Sequence, residues 1–441
     1  MNLAGKRVTV LGLGGFGGGA AAARFLVAQG AEVTVTDLKP REALASAVAA
    51  LDGLPVRFVL GEHRLEDVTG VDLVVKNPAI PPTSEWVVAA RRAGVPITSE
   101  LALGLERLEA PFAMVTGSKG KSTTAGLLGA MLSAVVAGNN ERPLLDALGR
   151  IGPGARVVLE VSSFMAEDLI PIRAAGRLPR PRVVVFTHLE PEHLNWHGTL
   201  EAYYGAKLSL LDLGPEVVVI PEGQAELEAL VPPRLPPGAR LVRASAARPA
   251  VDLSGLRLLG RHNLDNAALA AEAALAMGAA PDEVARAAAA FEALPHRLET
   301  VAVCPRGVRF VNDSMATTPA AALAALAAVP PPVVLLLGGS DKGHDFAALG
   351  AAAARAHAVV CLGAVRDKVA AAVEGAGGAP LRAASFDEAF ALAVERCPPG
   401  GAVLLSPAAA SYDMFPNFKA RGERFRALAT ARALPAATGQ G

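Results

Sequence analysis

The chain has 441 residues, which corresponds to about three domains at roughly 150 residues each, and 52% of them are hydrophobic, so each domain can bury a sizeable core. The 42 basic residues balance the 42 acidic ones, which argues against a nucleic-acid or anionic-membrane partner. No apolar run approaches the roughly 18–20 residues of a membrane helix, the N-terminus enters a strand without a secretory h-region, and three scattered cysteines (Cys304, Cys361, Cys397) point to a reducing cytoplasm rather than to disulfides or zinc.

The first unit opens with a strand over Arg7 to Leu11 and then Gly12-Leu13-Gly14-Gly15-Phe16-Gly17, a full G-x-G-x-x-G. An Ala-rich helix, Gly19 to Gln29, follows, and a second strand, Glu32 to Thr36, ends in Asp37. Taken alone this is a dinucleotide fingerprint: a tight turn, a pyrophosphate at the helix N-terminus and an acid for the ribose. A third strand, Val71 to Lys76, runs into Asn77-Pro78-Ala79-Ile80, a turn at the strand end where α/β folds bind ligands. The helix around Trp86 to Ala93 and a short strand at Val95 to Ile97 close this unit near Ser99.

The middle unit is organised around Thr116-Gly117-Ser118-Lys119-Gly120-Lys121-Ser122-Thr123, set between the apolar strand Phe112 to Thr116 and a helix expected over Thr123 to Ala137. Such a loop points backbone N–H groups at one spot, where the helix dipole, a lysine charge and a Mg²⁺-binding hydroxyl add to the attraction for a nucleoside triphosphate. The spacing is T-G-x-x-G-K-S rather than the longer Walker form, and only nine lysines occur in the whole chain. Strand Arg156 to Val161 carries Glu160, a carboxylate that burial makes costly unless a cation or an ion-pair partner answers it. Strand Arg182 to Thr187 leads to His188, His193 and His197, three of the eight histidines, clustered past a strand end as metal or ligand groups are. On the helix Leu200 to Leu211, Lys207 stands among Ala206, Leu208 and Leu210 and reads as a snorkelling lysine. The Pro- and Arg-rich stretch Val231 to Pro249 reads as exposed connections, and Asn263 as the N-cap of an Ala-rich helix.

After a polar hinge, Leu294 to Glu299, the last unit begins with strand Val308 to Asn312 and the turn from Asp313 to Pro319, with Thr318 and Pro319 placed to start a helix. Strand Val333 to Leu337 enters Gly338-Gly339-Ser340-Asp341-Lys342-Gly343, and strand Ala402 to Ser406 enters Pro407 to Asp413 ahead of a polar helix carrying Phe415 and Phe418. Two such turns at strand carboxyl ends point to a small anionic ligand.

The ordered set of the T-G-x-x-G-K-S loop, Leu159 to Phe164, Glu192-His193-Leu194 with His197-Gly198, Gly260-x-His262-Asn263-x-x-Asn266, Leu294-x-His296-Arg297, Asn312 to Thr317 and Ser406 to Asp413 resembles the Mur ligases along the whole chain, most closely their D-glutamate-adding branch. The resemblance implies an α/β fold of three domains: residues 1–98 Rossmann-like for the UDP-substrate, 99–294 a central P-loop ATPase with a mostly parallel sheet, and 295–441 Rossmann-like for the amino acid. It replaces a nicotinamide dinucleotide at Gly12 to Gly17 with a uridine nucleotide. Position by position it implies that Gly117, Ser118, Lys119, Gly120, Lys121, Ser122, Thr123, Asn263, Arg297 and Asp313 bind ATP. Gly14, Gly15, Phe16, Asp37, Asn77 and Asn139 would face the UDP-substrate, and Thr317, Lys342, Ser411 and Phe418 the D-glutamate. Of two Mg²⁺ ions, Ser122 and Glu160 would serve one, and His193 and a carbamylated Lys207 the other.

The implied activity is ATP-dependent addition of D-glutamate to UDP-N-acetylmuramoyl-L-alanine through an acyl phosphate, in a cytoplasmic monomer of peptidoglycan precursor synthesis, with Lys121, Glu160, His193 and Lys207 as catalytic residues. The chain departs from the family pattern at Leu38, at Asn77-Pro78-Ala79 where Ser-Pro-Gly is common, at Asn140-Glu141, and at Met165, Glu192 and Met315. Rival readings are a NAD-binding oxidoreductase, a nucleotide switch or transport ATPase, and another Mur-type or folylpolyglutamate-type ligase.

Overall fold

The protein, seen here in a computed structural model that describes residues 2–174 and 176–433, contains three α/β sheets. Met1, Ala175 and residues 434–441, which the sequence assigns to the first, central and third domains, lie outside the described residues. The chain forms two compact units: one runs to Gly255 and includes Asp265–Ala289, the other comprises Leu256–Leu264 and the chain from Ala290 onward.

The first unit holds two sheets. In the first, strands β1 (Arg7–Leu11), β2 (Glu32–Asp37), β3 (Val56–Leu60), β4 (Leu73–Lys76) and β5 (Ile97–Thr98) lie in the order β3-β2-β1-β4-β5, all parallel. The order reverses at β1, so its carboxyl end is a topological switch point, and helix α1 (Gly18–Ala28) begins there. The second sheet has β6 (Phe112–Thr116), β7 (Val135–Gly138), β8 (Val157–Glu160), β9 (Val183–Phe186), β10 (Val217–Pro221) and β11 (Arg240–Ala244) in the order β11-β10-β9-β6-β8-β7, again all parallel. Here the reversal falls at β6, and α2 (Lys121–Leu132) starts beyond its carboxyl end. β6, β8 and β9 are buried throughout, as the continuous apolar runs of strands covered on both faces require. Helices α3 (Ser163–Ala174) and α4 (Leu200–Leu208) follow β8 and β9, and α5 (Arg261–Ala276) follows β11.

Three local expectations are corrected. The helix after the phosphate loop stops at Leu132, where Ser133 takes a left-handed φ of 49°, and the β-branched pair Val135-Val136 becomes an edge strand beside β8. The stretch from Val231 to Pro249 is not connection alone: β11 pairs in register along β10, and its half-exposed edge position hid it among arginines and prolines. Asn263 is no N-cap, because α5 starts at Arg261 and the Asn263 amide donates to the Leu259 carbonyl at 2.7 Å from inside the first turn.

The second unit carries β12 (Glu299–Val303), β13 (Arg309–Asn312), β14 (Val333–Gly338), β15 (Ala358–Leu362), β16 (Leu381–Arg382) and β17 (Ala402–Leu405), ordered β12-β13-β17-β14-β15-β16. Only β12 is antiparallel. Helix α6 (Pro319–Ala328) begins as expected, with the Thr318 hydroxyl accepting from the Ala321 amide and Pro319 in its first turn, and α7 (Phe418–Ala433) follows β17. Among the described residues no helix is long and apolar enough to cross a membrane.

Candidate active site

The loop after β6 is closed by side chains from the neighbouring strand and helix. Gly117 has φ 149° and a Cβ there would lie 2.0 Å from the Thr187 hydroxyl; Gly120 has φ 85° and a Cβ would lie 2.5 Å from Asn266 Oδ1. Both glycines of the short motif are therefore required by conformation and by close approach. The Thr187 hydroxyl donates to the Thr116 carbonyl at 3.2 Å, and Asn266 Oδ1 accepts from the Thr124 hydroxyl at 3.2 Å, so β9 and α5 both brace the loop. Lys121 curls over it, donating to the carbonyls of Gly117 and Ser118 at 2.9 Å each. Lys119 reaches out instead to Glu192 at 2.6 Å.

Lys207 is buried, at 2% exposure, on α4, and its amine donates to the same Gly117 carbonyl at 2.8 Å. Two ammonium groups on one carbonyl repel each other, and burial penalises the inner one further. Burial first, and then the Lys121 charge, push the Lys207 amine down to about 6, so it is uncharged at neutral pH. Its position is not that of a snorkelling lysine, whose ammonium would reach water. The ring of Tyr203 lies 4.7 Å from the Lys207 nitrogen, and the Tyr203 hydroxyl donates to Ser118 Oγ at 2.9 Å. Burial pushes that phenol up to about 12. Nothing in the sequence around Tyr203 singled it out, since only the fold brings it beneath the loop.

Glu160 ends β8 in register with Val115 of β6, one residue short of Thr116, and is 1% exposed. Its Oε1 accepts from the Asn139 amide at 3.1 Å, while its Oε2 is buried with no hydrogen-bond partner. An orphaned carboxylate oxygen beside a phosphate-binding loop fits a divalent cation. Among the described residues no three His, Cys, Asp or Glu side chains converge on one point, so a cation here would draw remaining ligands from hydroxyls, water and phosphate oxygens. His193, at φ 55°, opens the short helix Leu194–His197, and its ring lies 4.9 Å from that of Phe164. Burial lowers its pKa against the pull of Glu192. His197 stacks on Phe164 at 5.5 Å and meets Ser163 Oγ at 3.0 Å; desolvation lowers it to about 4. His188 is half exposed, 3.8 Å from Glu190, and does not join the other two.

These elements match known family models over three stretches: the N-terminal domain of MurD-like Mur ligases at residues 6–99, the Mur ligase middle domain at 115–231, and the Mur ligase glutamate ligase domain at 296–409. The chain is 40% identical to the UDP-N-acetylmuramoylalanine–D-glutamate ligase of Roseiflexus sp. (strain RS-1), over 97% of this chain and 99% of that one. The chain belongs to the Mur ligase family. The enzyme of the same name from Symbiobacterium thermophilum is 36% identical over 97% of this chain and 98% of its own length. Among solved structures, UDP-N-acetylmuramate–alanine ligase (MurC) of Thermotoga maritima aligns with a TM-score of 0.61 at 18% identity, over 97% of this chain and 99% of that one. MurF ligase of Thermotoga maritima, in complex with ADP, gives 0.57 at 16% identity, over 98% and 96%. These two establish the Mur ligase fold here and nothing finer.

The residues that the family resemblance assigns elsewhere fall at strand carboxyl ends in both units. On the first sheet, the Gly14 amide donates to Asp37 Oδ2 at 3.0 Å and the Lys39 amide to Oδ1 at 2.9 Å, so Asp37 shapes the turn that carries Gly15 and the 77%-exposed Phe16. Asn77 reaches back to the Gly12 carbonyl at 3.3 Å. Asn139 lies not at this turn but on Glu160, at the end of β7.

In the second unit, Asp313 accepts from the Ser406 hydroxyl at 2.8 Å and from the Leu298 amide at 3.2 Å, and burial raises its carboxyl to about 7. The hydrogen bonds from Ser406 and Leu298, and then the charge of Arg297, oppose that rise. The turns after β14 and β17 meet: Ser340 donates its amide to the Ala410 carbonyl at 2.8 Å and accepts from the Asp413 amide at 2.8 Å. Lys342 lies there, exposed, 5.6 Å from the Tyr412 ring, and Ser411 is buried with its hydroxyl lacking a partner. Thr317 and Phe418 are half-buried, Phe418 with its ring 6.1 Å from His296.

Proposed function

We propose that this Mur ligase joins D-glutamate to UDP-N-acetylmuramoyl-L-alanine at the expense of ATP, through an acyl phosphate, giving ADP and phosphate in peptidoglycan precursor synthesis. The observation that carries the reading is full-length similarity, at 40% identity over 97% of the chain, to a ligase of that name. The phosphate loop and the orphaned Glu160 oxygen supply the chemistry such a ligase needs. In this reading residues 1–98 hold the UDP-substrate, 99–294 the ATP and 295–441 the amino acid, in a cytoplasmic monomer that acts on small molecules and needs no nucleic acid or membrane.

A carboxylate is a poor acyl donor, so it is phosphorylated first. The γ-phosphoryl group moves between crowded anions, and positioned positive charge is worth most at that moment. Lys121 turns from the loop carbonyls to the ATP phosphates, and the loop amides from Gly117 to Thr123 cradle them. Asn263, Arg297 and Asp313 contribute to the nucleotide's binding, and Asn139 orients Glu160. Glu160 and Ser122 would hold one Mg²⁺, and His193 and Lys207 a second; the ions would neutralise phosphate charge. An amine cannot ligate a cation while it carries a proton, but an uncharged amine adds CO₂, forming an N–C bond and releasing a proton, to give a carbamate anion. Lys207, buried and uncharged beside Gly117, is in the form that reacts. Lys342, Ser411, Thr317 and Phe418 would bind D-glutamate, whose amine attacks the acyl phosphate and expels phosphate. Gly14, Gly15, Phe16, Asp37, Asn77 and Asn139 would face the UDP-substrate.

Phosphate release from ATP, measured with UDP-N-acetylmuramoyl-L-alanine present and D-glutamate added or omitted, tests the reading. Sustained release that requires both is expected. ATP turnover indifferent to either substrate would overturn it.

A further inference from the structure

Lys76 ends β4 behind the apolar Leu73, Val74 and Val75, and it is 3% exposed. A buried ammonium needs a counter-charge and hydrogen-bond acceptors. Asp168 of α3 supplies the charge at 2.8 Å, and the acceptors are the carbonyls of Ile80 at 2.7 Å and Asn77 at 3.2 Å. Asp168 is buried as well; burial raises its carboxyl to about 6 against the pull of Lys76. A separate contact reaches the same turn. Trp196, from the short helix that His193 opens, donates its indole N–H to the Ala79 carbonyl at 3.2 Å, with its ring 4.6 Å from Phe164. Three carbonyls of the turn Asn77–Ile80 are thus gripped by side chains that take no part in phosphoryl transfer. Two of the groups involved, Asp168 and Trp196, come from the elements around the phosphate loop's own sheet.

We propose that Lys76, Asp168 and Trp196 are positioning residues that fix the Asn77–Ile80 turn to the central sheet and so set where a substrate held on the first sheet presents its reacting carboxylate. This rests on the reading above that the turn faces the UDP-substrate. The grip works from both sides: Lys76 draws the two ends of the turn toward a buried anion, and Trp196 holds its middle.

Two variants remove the grip without leaving a lone buried charge. Trp196→Phe keeps an aromatic ring beside Phe164 but loses the N–H and the larger indole. Lys76→Met with Asp168→Leu removes both charges together, a change that buried ion pairs often tolerate. The KM for UDP-N-acetylmuramoyl-L-alanine is expected to rise about two- to tenfold in the first, the effect of one net hydrogen bond, and further in the second. The kcat and the KM for ATP stay near wild type. Amide exchange at Ala79 and Ile80, followed without substrate, should quicken in both. If these amides and the KM are unchanged in either folded variant, the inference is overturned; Trp196→Phe alone decides it should the double variant fail to fold. Asn77→Ala separates the two readings. A wild-type KM in Asn77→Ala with faster turn exchange in the other variants leaves the grip standing and removes the UDP-substrate from this turn. A raised KM in Asn77→Ala with no effect of the other variants removes the grip.

Discussion

Two lysine amines donate to the Gly117 carbonyl, and burial separates their chemistry. Lys121 belongs to the loop and can swing to a phosphate, so Lys121→Ala is expected to remove nearly all turnover while leaving the melting temperature within a few degrees; normal activity would take the phosphate loop out of the mechanism. Lys207 is different because its amine is buried and uncharged at neutral pH. Lys207→Ala should also lose nearly all activity, yet UDP-N-acetylmuramoyl-L-alanine should still bind, because the lost anion serves the phosphoryl-transfer step. Acetate should restore part of the rate by entering the vacated site as a carboxylate. Full activity in Lys207→Ala, or loss through unfolding alone, would return Lys207 to a structural role and leave His193 without its proposed partner.

At the scale of elements, the loop between β6 and α2 depends on Gly120 more than on any propensity of its neighbours. A Cβ there meets Asn266 Oδ1 at 2.5 Å, and φ of 85° adds roughly 1–2 kcal/mol for a non-glycine residue. Gly120→Ala is expected to lower stability by about 1–3 kcal/mol and to raise the KM for ATP, whereas Gly149→Ala, with open space around it, should do neither. Thermal melts and ATP titrations of the two variants check the contrast. This element was legible in the sequence because a buried strand, a glycine turn and a helix each leave a local mark. Several other strands leave weaker marks: β7 reads as helix, β11 as connection, and no strand is expected from the sequence over β3, β10, β12, β15 or β16. β3, β7, β11, β12 and β16 sit at sheet edges with incomplete burial, so the alternation or apolar run that betrays a strand is weak there, whereas β10 and β15 are interior and mostly buried. The site divides likewise. Loop residues were visible from spacing, while Tyr203, Thr187 and Trp196 act through contacts across 85, 71 and 117 residues of sequence, which no local pattern records.

Across the whole molecule, the phosphate loop lies in the first compact unit, and the turns assigned to D-glutamate lie in the second, at the ends of β14 and β17. Because these turns are distinct from the phosphate loop, changes in them separate the two substrates by mutation, although Asn263, Arg297 and Asp313 of the second unit are assigned to the nucleotide. Ser411 Oγ is buried without a partner, an arrangement that costs free energy unless a ligand completes it, and Lys342 stands exposed on the adjoining turn, its ammonium 5.6 Å from the Tyr412 ring. Loss of a hydrogen bond to a charged group costs about 1.5–3 kcal/mol, or roughly ten- to over a hundredfold in affinity. Lys342→Ala and Ser411→Ala should each raise the KM for D-glutamate by about that factor and leave the KM for ATP near wild type. Ser411→Ala has a second signature. Removing an orphaned hydroxyl from a buried site relieves an unsatisfied group, so the unliganded variant should melt no lower than wild type, and D-glutamate should stabilise it less. Equal rises in the two Michaelis constants, or a lower melting temperature without ligand, would show that these turns serve the fold of the second unit rather than the amino acid.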